Sequence, residues 1–184
     1  MWELPVSLNV GGEEWKIRSD FRDILTVLIA FDDPDLTPEE KAYVCLSIVY
    51  EAFDSMPRRL YDEAYGAAME FIDNGIEGEK DSARITDWEQ DAPLIFPAVN
   101  RVSGCEVRAL PYLHWHTFMG YFMEIRNSVY ASVLNIRRKK AKNKKLEKQE
   151  EEFFRSNRSI CVLKPRLSEQ ERLEKEKLRS MLGQ

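Results

Sequence analysis

The sequence predicts a mainly α-helical protein, a bundle of five to six helices with an N-terminal β-hairpin and a charged C-terminal helical tail. Three observations predict this fold class. Ser or Thr precedes Glu by three residues at several places, which is the capping-box pattern of helix starts. Apolar residues recur at three- and four-residue steps, as they do in helices that bury one face. Near the N-terminus, apolar and polar residues alternate around two glycines. We expect residues 1–136 to form the helical domain with its hairpin, and residues 137–184 to form a charged linker and a C-terminal helix.

The hairpin is predicted over residues 4–18. Gly11-Gly12 lies between the two strands and tolerates the positive φ of a tight turn. The alternating apolar residues of the two strands are Val6, Leu8, Val10, Trp15 and Ile17. A two-stranded hairpin is only marginally stable alone, so we expect it to pack on the helices.

Three amphipathic helices are expected to follow the hairpin. Ser19 or Asp20 can cap the first, and Thr37 with Glu40 forms a capping box for the second, which should run to about Asp54. The third begins near Pro57, and Asn74-Gly75 ends it.

Two more helices are predicted in residues 86–134. Thr86 and Glu89 repeat the capping-box pattern, but the prolines at positions 93 and 97 remove amide donors, so this helix is kinked or begins late. From Pro111 to Leu134 the apolar pattern is the longest in the chain and predicts one central helix.

The sequence offers little that would support catalysis or metal binding. His114 and His116 are two residues apart and so face different sides of a helix, which predicts hydrogen-bonding histidines rather than a shared metal site. The three cysteines are widely spaced, which indicates neither a zinc site nor a disulfide framework and suits a reducing cytosol. Without a nucleophile–base set we expect no enzyme activity and no cofactor.

We also expect no membrane association. The longest uncharged run, from Ala109 to Met123, is too short and too rich in His, Pro and Tyr to span a bilayer. The N-terminus lacks the pattern of a secretion signal.

Charge is distributed unevenly along the chain. Residues 1–134 have a net charge of −13 and residues 135–184 a net charge of +8, although the whole chain has only −5. The basic segment from Arg137 to Lys148 could bind nucleic acid, because clustered Lys and Arg neutralise phosphates. It contains no aromatic residue to stack a base, and the acidic body repels a polyanion, so we favour a solvated extension of the preceding helix or a linker that its charges keep extended.

A last helix is expected to begin at the capping box of Ser168 and Glu171. Its apolar stripe is thin, and a helix of this length is marginal in water by itself. We therefore expect it to fold against a partner. The stripe consists of Leu173, Leu178, Met181 and Leu182.

In its order of elements the chain resembles the small siphophage proteins of the "gp fifteen" family, which are encoded beside the tape measure gene and regarded as tail assembly chaperones. The resemblance covers about residues 4–137, and His116 stands where a second aromatic residue is expected. The residues that carry it are Gly11-Gly12 in the hairpin, Phe21, the segment Trp88-Glu89-Gln90-Asp91-Ala92-Pro93, His114-Trp115 and Phe118.

The resemblance implies a non-enzymatic role in the host cytoplasm, outside the mature virion: binding the tape measure protein and promoting tail tube assembly. The tail tube protein and a second copy of the chain are further candidate partners. The alternative is a nucleic-acid-associated accessory protein that uses the basic segment 137–148. The candidate partner-binding residues are Arg137, Arg138, Lys139, Lys140, Leu173, Leu178, Met181 and Leu182.

Overall fold

The computed structural model describes residues 3–73 and 84–181, and within these residues it contains nine α-helices and one two-stranded sheet. The mainly α-helical fold with an N-terminal hairpin is thereby confirmed, and six helices, α1 to α6, make up the bundle. The elements are β1 (Ser7–Val10), β2 (Glu13–Lys16), α1 (Phe21–Phe31), α2 (Pro38–Val49), α3 (Tyr61–Asp73), α4 (Ala92–Ser103), α5 (Trp115–Met123), α6 (Val129–Ala141), α7 (Lys148–Ser156), α8 (Arg158–Cys161) and α9 (Glu169–Met181).

The hairpin forms with a two-residue turn and packs against α3. Gly11 and Gly12 have φ angles of 62° and 80°, which suits the twist of an antiparallel pair. The backbone N–H of Gly11 donates to the Glu63 carboxylate at 2.7 Å, and a side chain at position 11 would meet Leu60. These contacts attach the turn to the bundle.

Local capping explains where the first helices begin. Asp20 caps α1 by accepting from the backbone N–H of Arg22, and Thr37 and Glu40 form the predicted reciprocal box at the start of α2. α2 ends at Val49 rather than at about residue 54, and 3₁₀ turns occupy part of the link to α3. The predicted stop of α3 at residues 74–75 lies outside the described residues.

Aromatic side chains fill the centre of the bundle. Phe21 of α1 stacks on Phe118 of α5 with ring centroids 4.6 Å apart. Trp115 is 1% exposed, and its indole N–H donates to the carbonyl of Ile72 at 2.8 Å. This hydrogen bond pairs the one polar atom of the buried tryptophan, so burial of Trp115 leaves no hydrogen-bond donor unsatisfied.

The fourth helix begins late, as the prolines predict, but its start is not capped by the expected box. α4 begins at Ala92, and it is Asp87 whose carboxylate accepts from the backbone N–H groups of Glu89 and Gln90, at 3.0 and 2.9 Å. Asp87 thus caps the turn that precedes α4, and its side chain is buried.

The prediction of one long helix from Pro111 to Leu134 is wrong, because the chain breaks between α5 and α6. Asn127 has a φ of 47°, and Ser128 begins a new helix by accepting from the backbone N–H of Ala131. Val129, which belongs to this apolar pattern, is 51% exposed, and Met123 at the end of α5 is 56% exposed. The periodicity therefore ran across two separate helices.

The stretch predicted as a linker contains two helices, and the boundary expected after residue 136 falls inside α6. α7 and α8 fold back on α6 and share a small second core with it. The buried members of this core are Val133, Ile136 and Cys161, and Leu94, Leu146, Phe153, Phe154 and Ile160 pack against them. Phe153 and Phe154 form the apolar face of the amphipathic helix α7, and burial of this face against α6 favours the packing of α7 on α6.

Candidate partner-binding site

Arg137, predicted to be an exposed docking residue, is instead the centre of a buried ion pair. Its side chain is 7% exposed and forms a bidentate pair with Asp91, with N–O distances of 2.6 and 2.9 Å. The same guanidinium donates to the carbonyls of Ile85, Ile160 and Cys161. Arg137 therefore joins α6, the start of α4 and α8, and little of its side chain reaches the surface.

A second buried carboxylate, Asp87, attaches the chain that follows α8. Arg166 donates to it through two nitrogens, at 2.9 and 3.2 Å, and Arg84 pairs with it as well. Arg166 also pairs with the exposed Glu89 at 3.1 Å. Burial alone would raise the pKa of Asp87, but the hydrogen bonds from Arg166 and Gln90 and the charges of Arg166 and Arg84 outweigh it and hold the pKa at about 2.

Residues 162–168, which we call the strap, lie between α8 and α9 without regular secondary structure, and Val162 at their start has extended dihedral angles. The side-chain amide of Gln90 accepts from the backbone N–H of Lys164 at 2.9 Å and donates to its carbonyl at 3.0 Å. At the end of the strap, the backbone N–H of Glu169 donates to the Asp35 carboxylate. We call the four body residues that face this segment, Asp35, Asp87, Glu89 and Gln90, the strap site.

The exposed part of the basic segment is smaller than the sequence indicates. Lys139 donates to Glu150 at 2.6 Å, and the ammonium group of Lys140 lies 4.1 Å from the centre of the Phe154 ring. Both contacts hold α7 against α6. Arg138 is exposed, so of the four basic residues predicted to bind a partner it is the one directed to solvent without a described contact of its side chain.

α9 presents its apolar residues to solvent, as the sequence predicts. Leu173, Leu178 and Met181 are 61%, 59% and 75% exposed, and every residue from Glu169 to Met181 is exposed. Leu182, the fourth predicted contact, lies outside the described residues. The structure thus separates the predicted basic residues, which mostly hold the body together, from the predicted apolar residues, which are uncovered.

The two histidines serve the fold, as predicted. His114 accepts from the backbone N–H of His116 through Nδ1, so its Nε2 carries the proton and donates to the carbonyl of Pro5. His116 donates through Nε2 to the carbonyl of Phe71 at 2.8 Å. Burial lowers the pKa of His116, the bond to Phe71 opposes this, and the nearby His114 adds to it. Both rings are therefore committed to backbone carbonyls.

Neither a metal cluster nor a membrane helix is present in the part of the chain that the structure describes. Within residues 3–73 and 84–181, no three His, Cys, Asp or Glu side chains are grouped so that they could hold a metal ion. None of the helices in these two ranges has the length and apolar character needed to cross a membrane.

The strap site was missed by reasoning from sequence. In the sequence, Glu89 and Gln90 belong to the acidic segment before Pro93 and Glu89 also to the expected capping box, and no local signal links Asp87 to Arg166, which is 79 residues further along the chain. Charge complementarity between the acidic body and the basic tail was the one available indication.

Comparison with known proteins gives a match at the level of a family. The family model described as "Bacteriophage Gp15 protein" matches residues 1–161, which include the bundle, the second core and the strap site. No curated protein and no solved structure matches the chain.

Proposed function

Because the chain belongs to the Bacteriophage Gp15 protein family, we propose that this bacteriophage protein is a non-enzymatic tail assembly chaperone that binds the tape measure protein and promotes tail tube assembly. The family predicted from the hairpin, the acidic-Pro segment and the His-Trp element is confirmed by the match. The chaperone role itself rests on the resemblance described above and on the exposed apolar residues of the C-terminal helix α9.

The observation that carries the proposal is the uncovered apolar face of α9. Its residues Leu173, Leu178 and Met181 are more than half exposed although they lie on a regular helix. Amphipathic helices obtain most of their stability in proteins from packing of the apolar face, and nothing in the described body covers this one. A helical, apolar segment of a client protein would supply the missing contact.

The nucleic-acid alternative has less support. Lys139 and Lys140 are engaged with Glu150 and Phe154, and Arg137 is buried against Asp91, so three of the eight basic side chains of residues 137–148 are taken up by contacts within the protein. A steep loss of DNA binding with rising salt would favour this alternative, and absence of binding at low salt would remove it.

Further partners and the location follow from the same proposal. The tail tube protein is a second candidate client, and self-association through α9 is an alternative use of the same apolar face. We place the protein in the host cytoplasm, where tail assembly occurs, and outside the mature virion.

Co-expression with the tape measure protein of the same phage tests the proposal. We expect the tape measure protein to become soluble and to co-purify with the chain. A chain truncated at Val162, which lacks the strap and α9, then shows whether these C-terminal residues bind the client. If the tape measure protein stays insoluble and unbound with the full-length chain, the chaperone proposal is wrong.

A further inference from the structure

We propose that the strap site is a binding site for an extended, arginine-bearing segment of a protein partner, and that the strap occupies this site when the partner is absent. The proposal deepens the proposed function and rests on it in one respect, that the partner is taken to be the client. It assigns a place on the body where the client binds, and the chemistry of the segment that binds there.

The strap site holds the backbone of the strap through one side chain. The side chain of Gln90 pairs with both the N–H and the carbonyl of Lys164, at 2.9 and 3.0 Å, so it behaves as one residue of a neighbouring strand. The contact uses no side-chain atom of Lys164, which is exposed. Any extended segment offers the same pair of groups, as in recognition by strand addition.

The strap site also selects for arginine. Asp87 is 0% exposed, and both of its oxygens accept from Arg166, through Nε and Nη2. This planar two-point contact suits the fork of a guanidinium, and a lysine ammonium cannot reproduce it. A segment that replaces the strap therefore needs an arginine at the corresponding position.

Charge supports the same kind of partner. Three of the four residues of the strap site are acidic, Asp35, Asp87 and Glu89, and residues 1–134 have a net charge of −13. A basic segment is attracted to such a surface over a distance of about one Debye length, roughly 8 Å at physiological salt. An acidic or neutral segment lacks this attraction.

The strap is held in a way that permits exchange. None of residues 162–168 is buried, in contrast to Cys161 immediately before them, which is 3% exposed. Pro165 and Leu167 line a surface cavity of about 470 Å³ together with Ile29 and Pro34 of the body, and the rest of its lining is polar or charged. This mixed cavity leaves room beside the strap for a segment with larger side chains.

The family match includes the strap site but not the strap. The strap site lies within residues 1–161, and the strap begins at the first residue after them. The strap is therefore not part of the segment that the family model matches.

Binding of a labelled peptide tests the proposal. The probe is a fluorescent peptide with the sequence of residues 162–170, and the control peptide carries Arg166→Ala. The proteins are the full-length chain, its Arg166→Ala variant, which keeps the strap site but loses the anchor of its own strap, and Arg179→Ala, which removes an exposed tail charge elsewhere.

We expect the probe to bind the Arg166→Ala chain about ten-fold or more tightly than the wild-type chain, since a tethered strap competes at an effective concentration in the millimolar range. The Arg179→Ala chain should behave as wild type, and the control peptide should bind every chain weakly. Equal binding of the probe to all three chains would overturn the proposal. So would absence of binding to an Arg166→Ala chain whose residues 162–168 exchange amide hydrogens rapidly.

Two outcomes separate this proposal from the chaperone function. If the tape measure protein binds the chain without displacing the probe, the function stands and the strap site is not where the client binds. If wild-type chains instead form a dimer that Arg166→Ala abolishes, the occupant is the strap of a second copy, and the assignment to a client is wrong.

Discussion

At the residue scale, two neighbouring arginines have opposite roles. Arg137 is buried and forms a bidentate pair with Asp91, whereas the next residue, Arg138, is exposed. A buried pair gains little over apolar residues of the same volume, but loss of one partner leaves the other charge buried without compensation. Some residues of the basic segment therefore stabilise the fold, and others are exposed on the surface.

Arg137→Ala should lower the free energy of unfolding by about 3–5 kcal/mol, because the Asp91 carboxylate and three carbonyls lose their donor. Arg138→Ala removes the same charge from the adjacent position and should change stability by no more than about 0.5 kcal/mol. Urea denaturation at pH 7 measures both. Equal effects of the two substitutions would show that the buried pair is not formed in solution.

The Asp87–Arg166 contact predicts a dependence on pH. The pKa of Asp87 is about 2 in the folded protein against an ordinary 3.8, so its ionised form favours the folded state above pH 3.8, and this contribution is lost as the pH falls towards 2. Arg166→Ala removes the largest interaction that lowers this pKa. The stability difference between wild type and variant should therefore shrink as the pH falls from about 4 to 2.

Denaturation of both chains at a series of pH values measures this difference, with Arg179→Ala as the control. The control difference should stay constant over the same range, because Arg179 has no described contact with a carboxylate. A wild-type and Arg166→Ala difference that also stays constant would contradict the coupling.

At the scale of elements, several that depend on neighbouring residues could be predicted, whereas those that depend on distant residues could not. The Gly11-Gly12 turn, the Thr37 box and the start of α9 at Ser168 are set by contacts within four residues. Burial of Arg137 depends on Asp91, 46 residues earlier. The return of α7 depends on packing against α6, which a charged sequence does not indicate.

The break between α5 and α6 depends on a single cap. Ser128→Ala should destabilise the protein by about 1 kcal/mol, because the backbone N–H of Ala131 loses its acceptor. Ser132→Ala, one turn further on, removes an exposed hydroxyl that bonds within the helix and should change stability by only a few tenths of a kcal/mol. Thermal or urea denaturation compares them. If Ser132→Ala cost as much as Ser128→Ala, the break would not be set by this cap.

The exposed face of α9 gives a prediction about binding rather than stability. Leu173→Asp with Leu178→Asp should leave the free energy of unfolding unchanged, since both side chains are mostly exposed, and should reduce recovery of the tape measure protein at least about ten-fold. Gln170→Asp with Ser180→Asp adds the same number of acidic residues and should bind normally. Equal recovery with both double variants would remove α9 from the client interface.

At the scale of the whole molecule, the chain consists of a well-packed body and a tail attached to it by polar contacts. The bundle and the second core bury their apolar residues as far as Cys161, where the family match also ends. Beyond it, the strap is held by Gln90 and Asp87, and α9 is exposed over its length. Such a division lets the tail change its contacts while the body keeps its fold.

Hydrogen exchange of the full-length chain, alone and in complex with the co-purified tape measure protein, tests the central claim most directly. We expect the client to leave the amides of the bundle unchanged, to deprotect the strap when the client segment replaces it, and to protect α9, residues 169–181. A complex in which the strap and α9 exchange as they do in the free chain would contradict this account. Failure to form any complex would contradict the chaperone function itself.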